Sequence, residues 1–249
     1  MYRVNSCKEF IKKGCTMVKK NDSNLTEAVY EKIVDMIFKK EIKCGEKIQE
    51  EKIAKILKVS RTPVRESLRK LSTEGIVNAY PRRFSEVITL NDQYIKNLGF
   101  TRLFIDSLAI QLAMQHGSNE EFFQLRELAD QSYEAARIGD LFGSIKKDCD
   151  FHLMLCKIGK NVILKKLQSE LFLKVRLVRT FRNEGIKENF KMVEDHYDIV
   201  EKLFERDTEQ AVRCIQKHIV QFYDINTSNI RNIIFDLDYS FADRNIVLK

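Results

Sequence analysis

Val59-Ser60-Arg61-Thr62-Pro63-Val64-Arg65-Glu66-Ser67-Leu68-Arg69-Lys70-Leu71 decides the fold of the first third of the chain. Ser60 suits a helix N-cap, and Pro63 is tolerated only in a first helical turn, where its missing N–H costs nothing. Val64, Leu68 and Leu71 then recur at helical spacing as a buried stripe. Arg61 and Arg65 lie four residues apart on the exposed side, with Arg69 continuing the row. Upstream, Leu25-Thr26-Glu27 opens a helical pattern through Val29, Ile33 and Met36 or Ile37, which ends at Lys43-Cys44-Gly45. A short helix follows, with Ile48, Ile53, Ile56 and Leu57 as its apolar positions. Two short helices joined by a tight turn, the second bearing Arg and Thr in its N-terminal half, form a helix-turn-helix. The first residues of such a second helix reach base edges, while flanking cations hold phosphates. Glu74-Gly75-Ile76-Val77 closes the helix. The stretch from Ala79 to Leu90 alternates around Pro81-Arg82-Arg83 and predicts a short β-hairpin wing.

The charge distribution agrees with that reading. Residues 1–90 contain 20 Lys/Arg and 12 Asp/Glu, a formal +8, whereas residues 91–249 contain 23 and 24, a formal −1. The excess positive charge therefore sits in the first third, as a polyanion-binding segment requires. A solvated basic surface would give the same totals, so the motif carries the argument. With 9 Gly and 2 Pro in 249 residues, the composition favours helices over a turn-rich β fold. No apolar run approaches the ~18–20 residues that span a bilayer, and the basic N-terminus lacks the apolar stretch of a secretory signal. The six cysteines form no CxxC pair, which points to reduced thiols and a cytoplasmic protein.

From residue 91 to about 232 the pattern is helix after helix, six in all, with breaks near Gly117, Gly139, Gly159, Gly185 and Asp207. Three inward stripes carry polar residues. One reads Leu141, Ile145, Asp148, His152, Leu155; another Val193, His196, Val200, Leu203; the last Ala211, Ile215, His218, Phe222, Ile225. Three of the four histidines thus point inward, and Asp148 lies one turn before His152. A buried polar group without a partner costs roughly 1–3 kcal/mol. A divalent cation held by Asp148, His152, His196 and His218 would satisfy all four. Hydrogen-bonded core histidines are the competing reading. For the metal, Zn is the default, and such a site also accepts Ni, Cu, Fe or, with its carboxylate, Mn. A fourth stripe, Leu98, Arg102, Ile105, Ala109, Leu112, turns Arg102 toward the core. There it is either half of an ion pair with Asp106 or a guanidinium offered to a small carboxylate ligand.

The segment from Ile53 to Leu68, followed by Glu74-Gly75-Ile76-Val77, closely resembles the winged-helix head of the GntR family of bacterial transcription regulators. That resemblance implies operator contacts by Arg61 and Arg65. Thr62 and the wing assist, so the candidate DNA-binding set is Ser60, Arg61, Thr62, Arg65, Arg69, Arg82 and Arg83. One departure stands out: the family's wing glycine falls at Phe84, which cannot easily take a positive φ. A reshaped wing is expected, with minor-groove contact by Arg82 or Arg83 left open. The helical region is similar to the FCD effector domain of the FadR-type subfamily. There an Asp–x3–His pair and two later histidines match Asp148, His152, His196 and His218, and imply metal binding. Six helices suggest the shorter, VanR-like branch. Where that family has an Arg and a Glu four apart, this chain has Arg102 and Asp106.

The expected architecture is mainly α. It comprises an N-terminal extension (1–24), a winged helix-turn-helix (25–90), an all-α antiparallel FCD-type bundle for effector binding and dimerisation (91–232), and a tail (233–249). The expected function is a ligand-responsive regulator, a repressor by preference, that binds double-stranded, pseudo-palindromic operator DNA as a homodimer. A bundle metal that is purely structural is the alternative. A metal-dependent hydrolase or lyase is disfavoured, because no inward Glu, Ser or Cys occupies a convincing general-base position. Lys165, Lys166, Lys174, Arg176 and Arg179 read as solvated faces or dimer-rim charges. Cys149 and Cys156 read as packing groups, and His116 as a helix-end or surface residue.

Overall fold

The apolar stripes read from the sequence find partners in a computed structural model, which describes residues 22–80, 83–182 and 186–225. Three helices build the head: α1 (Asp22–Phe38), α2 (Glu50–Leu57) and α3 (Arg61–Thr73). Val64, Leu68 and Leu71 of α3 are buried with Val29, Ile33 and Ile37 of α1. The Ser67 hydroxyl lies 2.7 Å from the Pro63 carbonyl and 2.9 Å from that of Thr26, which pins α3 to α1. Ser60 occupies the N-cap of α3 with extended backbone but makes no side-chain cap bond. The start of α3 therefore rests on its backbone geometry and on Pro63 in the first turn.

Three readings of this region need correction. Helix α1 ends at Phe38, with Lys40 at φ 61°, well before Gly45. Ile48 belongs to no helix: it lies on strand β1 (Lys47–Ile48), opposite Ser85. A strand of two residues is too short to show an alternating pattern, so its buried isoleucine passes for a helical one. Ile56 is 52% exposed and is not part of the α2 core.

The wing is strand β2 (Val77–Tyr80) paired antiparallel with β3 (Phe84–Val87), and the sheet order is β1-β3-β2. Phe84 stands inside β3 opposite Tyr80, their ring centroids 4.8 Å apart, with Lys47 Nζ 4.3 Å from the Phe84 centroid. It takes no positive φ, so the wing is closed by a packed aromatic pair and the missing glycine imposes no strain there. Arg83 is exposed, whereas Arg82 lies outside the described residues.

Six helices follow in the described residues: α4 (Asp92–His116), α5 (Asn119–Arg137), α6 (Leu141–Ile158), α7 (Val162–Phe181), α8 (Ile186–Phe204) and α9 (Thr208–Tyr223). Five of the six helices start at a described capping residue. Asn91 caps α4, Ser118 and Glu121 form a capping box on α5, and Asp140, Asn161 and Asp207 cap α6, α7 and α9. Helix α4 packs along α9 and α6, and α5 packs along α6 and α8. The approach of α4 to α9 is close at Gly99, where a Cβ would fall 2.5 Å from the Tyr223 ring. His116 is exposed in the last turn of α4, and Cys149 and Cys156 are buried free thiols.

Helix α7 faces two cores. Leu177 is buried among the head residues Ile33, Ile37 and Leu71, with Leu173 and Phe181 packed alongside. Arg176 lies over the Phe38 ring at 4.4 Å. The opposite side of α7 places Gln168, Phe172 and Arg179 inside the bundle. No helix among the described residues is long and apolar enough to cross a membrane.

Candidate functional site

The head presents Arg61 and Arg65 to solvent, one helical turn apart on α3, with Ser60, Thr62 and Arg69 exposed beside them. Both arginines meet one carboxylate. Glu50, in the first turn of α2, lies 3.0 Å from Arg65 Nη2 and 3.5 Å from Arg61 Nη2. The Arg65 hydrogen bonds hold the Glu50 carboxyl below its usual range, against the modest opposing effect of burial. Arg69 pairs with Glu66 at 3.3 Å. The space between α3 and the wing is a groove lined by Glu50, Arg61, Arg65, Arg69, Tyr80 and Arg83. Glu50 escapes a sequence reading because it lies on the preceding helix, eleven residues before Arg61.

The second constellation is buried in the bundle. Asp148 and His152 come from α6, His196 from α8 and His218 from α9. All four are buried, and one potential ligand atom from each lies within 4.8 Å of the others. Their rings are tightly held. Phe151 stacks on His196 at 4.2 Å, and Phe172 tilts against His152 at 5.6 Å. Asp148 Oδ1 is 3.5 Å from His196 Nε2.

Two arginines close the cage. Arg102 is fully buried on α4; its Nη2 lies 3.0 Å from Asp106 Oδ2 and 3.0 Å from His152 Nε2. A guanidinium only donates, so His152 Nε2 accepts from Arg102 and a cation at that nitrogen would take the place of Arg102 Nη2, while Nδ1 lies 3.6 Å from Asp106 Oδ2. Gln168 Nε2 donates to the other Asp106 oxygen. Arg102 is therefore both partner to Asp106 and neighbour to the cage, and its Nη1 is buried without a hydrogen bond. The reading of Arg179 as a solvated or rim charge is overturned. Arg179 is buried and ion-paired with Asp148. Leu164, Gln168, Phe172, Val175 and Arg179 recur at steps of four, four, three and four, so a stripe count of α7 would have found it. Lys165 and Lys166 are exposed as read, while Lys174 and Arg176 are half-buried.

Electrostatics favour ligand-competent forms. Burial raises the cost of ionising Asp148, but Arg179 and the adjacent histidines more than offset it and hold the carboxyl well below its usual range. Burial pushes His196 down to about 3 and His152 well below its ordinary value, so both rings are neutral near pH 7. Burial raises the Asp106 carboxyl against the pull of Arg102. Both ring nitrogens of His196 and Nε2 of His218 are buried with no hydrogen-bond partner. Three imidazoles and one carboxylate form a donor set that suits a divalent ion such as zinc, and the orphaned nitrogens are groups such an ion would satisfy.

A winged helix-turn-helix joined to a helical bundle with a buried polar cage defines a DNA-binding regulator with a second, all-helical domain. Comparison with known families agrees. Residues 25–87 match the bacterial regulatory proteins of the gntR family, and residues 98–221 match the FCD domain. The chain belongs to the GntR family, with an FCD domain behind its head. It is similar to the Nta operon transcriptional regulator of Aminobacter aminovorans, 28% identical over 197 residues that cover 78% of this chain and 90% of the relative. It is also similar to the transcriptional repressor RspR of Escherichia coli, 24% identical over 200 residues, 79% and 88% of the two chains. The structure of E. coli McbR/YncC shares the fold at a TM-score of 0.70 and 20% identity, covering 80% of this chain and 95% of that one. This chain is a DNA-binding transcriptional regulator and not an enzyme.

Proposed function

We propose that this protein is a ligand-responsive repressor that acts in the bacterial cytoplasm, binds a pseudo-palindromic operator as a homodimer, and senses a small organic acid in a metal-dependent bundle site. Residues 25–90 read DNA in this scheme, and residues 91–232 sense and dimerise. Ser60, Arg61, Thr62 and Arg65 enter the major groove, Arg69 holds phosphate, and the wing arginines Arg82 and Arg83 approach the minor groove. The relative named as a repressor supports the negative sign of regulation.

The observation that carries the sensing role is the buried cage beside Arg102. Asp148, His152, His196 and His218 would hold a divalent cation, Zn first, with Ni, Mn, Fe and Cu compatible with the same donors. The bound ion would supply a Lewis-acidic point for a carboxylate oxygen. Charge balance supports an anionic ligand. Arg102 and Arg179 offset Asp106 and Asp148, so a divalent cation held by the imidazoles would add a buried excess of +2. A carboxylate held partly by Arg102 Nη1 would reduce that excess.

An apolar face supports the dimer. Phe104 and Leu108 of α4, and Val162, Ile163 and Leu167 of α7, are large and exposed. The two helices run antiparallel side by side, since Arg102 meets Phe172 where Asp106 meets Gln168. A second copy covering this face would present two heads to two operator half-sites.

The first test is elemental analysis of tag-free protein purified without chelator, beside a His152→Ala control. About one metal per chain, lost in the variant, supports the cage; folded metal-free protein that takes up no added zinc refutes it. A second reading, in which the metal only fixes the bundle, is favoured by the guanidinium pairs that already satisfy Asp148 and Asp106. Operator affinity that changes with an added carboxylate in the metal-loaded protein rules that reading out, and affinity indifferent to every carboxylate tried establishes it.

A further inference from the structure

The three cage histidines are held in three different ways. His196 is stacked under Phe151, with no hydrogen bond to either nitrogen. His152 faces Arg102 through Nε2. His218 Nδ1 lies 3.3 Å from Asp195 Oδ2. Asp195 stands on α8 directly before His196, and its side chain is 14% exposed, so it sits at the rim of the bundle while His218 is enclosed.

A carboxylate can only accept, so the contact with Asp195 requires a proton on His218 Nδ1. The lone pair then falls on Nε2, which is buried and has no hydrogen-bond partner. The His218 ring centroid is 4.8 Å from that of His196 and 5.4 Å from that of His152. Nothing else among the hydrogen bonds of the described residues fixes this ring's tautomer.

We infer that Asp195 is a positioning residue for the cage: it fixes the Nδ1–H tautomer of His218 and so offers the Nε2 lone pair to a divalent cation. The inference deepens the metal reading proposed above and rests on it. Asp195 itself is not a ligand. Its neighbour His196 enters the cage, while Asp195 reaches across to α9. One turn of α8 thus supplies a ligand and orients a second on another helix. Outer carboxylates of this kind raise the basicity of the imidazole and remove the need to select a tautomer on binding.

The test uses the full chain, stripped of metal and labelled with 15N histidine, with long-range 1H–15N spectra reporting each ring's tautomer. Only four histidines need assignment, and His218→Gln identifies the relevant one. The Nδ1–H form is expected for His218 in the wild type, and its loss in Asp195→Ala. Zinc affinity, measured by competition with a chromophoric chelator, should fall about 10- to 100-fold in Asp195→Ala and less in Asp195→Asn, which keeps one acceptor oxygen. If Asp195→Ala does not fold, the same two readouts on Asp195→Asn decide. A wild-type His218 protonated on Nε2, or a zinc affinity that Asp195→Ala leaves within twofold, overturns the inference. A wild type that binds no zinc overturns the metal reading, and the tautomer comparison then judges the hold of Asp195 on His218 alone.

Discussion

Arg179 and Asp148 form an ion pair inside the bundle that joins α7 to α6 beneath the histidine cage, both side chains being almost wholly removed from water. Such a pair adds little net stability over a well-packed apolar replacement, but breaking it leaves a charge stranded. Arg179→Met should therefore destabilise the metal-free protein by about 3–5 kcal/mol. Urea unfolding monitored by circular dichroism checks this, and a loss under about 1 kcal/mol would mean that the carboxylate finds another partner.

The neutral histidines give the metal-free protein a pH signature. The folded-state values of His152 and His196 lie below the unfolded value of 6.5, with His196 near 3. As pH falls below about 6.5 the unfolded chain takes up protons that the folded chain refuses, so stability drops. Between the folded and unfolded values each ring contributes a slope of about 1.4 kcal/mol per pH unit, so stability fully present above the unfolded value is lost toward the folded one. Denaturation midpoints at pH 7, 6 and 5 should descend, and zinc should resist the descent until protons displace it. A flat profile would show that the two rings are not buried as neutral bases.

Zinc addition has its own expected outcome. A ligand at 100 times its dissociation constant stabilises the folded state by about 2.7 kcal/mol. The thermal midpoint of chelator-stripped protein should rise with zinc in the wild type and return with EDTA. In His152→Ala the rise should be largely lost, and an equal rise there would place the binding elsewhere.

In the head, Glu50 makes a prediction distinct from that of the arginines it holds. Arg61→Ala and Arg65→Ala should each cost about 1–3 kcal/mol of discrimination between operator and scrambled duplex. Glu50→Gln removes a negative charge next to both, so non-specific binding should tighten while discrimination falls. Fluorescence anisotropy with the two duplexes at several salt concentrations separates the effects. Unchanged discrimination in Glu50→Gln would mean that the arginines orient themselves on DNA without it.

How much of this was legible depended on whether a feature leaves a periodic trace. Pro63 with Val64, Leu68 and Leu71 announces α3, because the first-turn proline and the stripe agree. Asp148, His152, His196 and His218 are visible because each interrupts an apolar stripe of its own helix. Arg179 was misread because Lys174, Arg176 and Arg179 together resemble a solvated face, although Arg179 alone is on the inward spacing. Partnerships across helices leave no local trace: Gln168 with Asp106, Asp195 with His218 and Glu50 with Arg65 are set by packing between helices. Phe84 shows the reverse case. Its departure from the glycine pattern is plain in the sequence, but its accommodation by Tyr80 is visible only in the paired strands.

Helix α7 gives the molecule a mechanical layout. Leu177 is embedded in the head, and Arg179, two residues further on, grips the cage carboxylate. Those two positions are separated by about 3 Å along a helix axis, too short a span for bending to absorb a shift. The head is thus carried on a rod whose other face is bolted to the buried cage. Any displacement of α7 at Arg179 would be shared by Leu177, because both stand on the same turn of one helix.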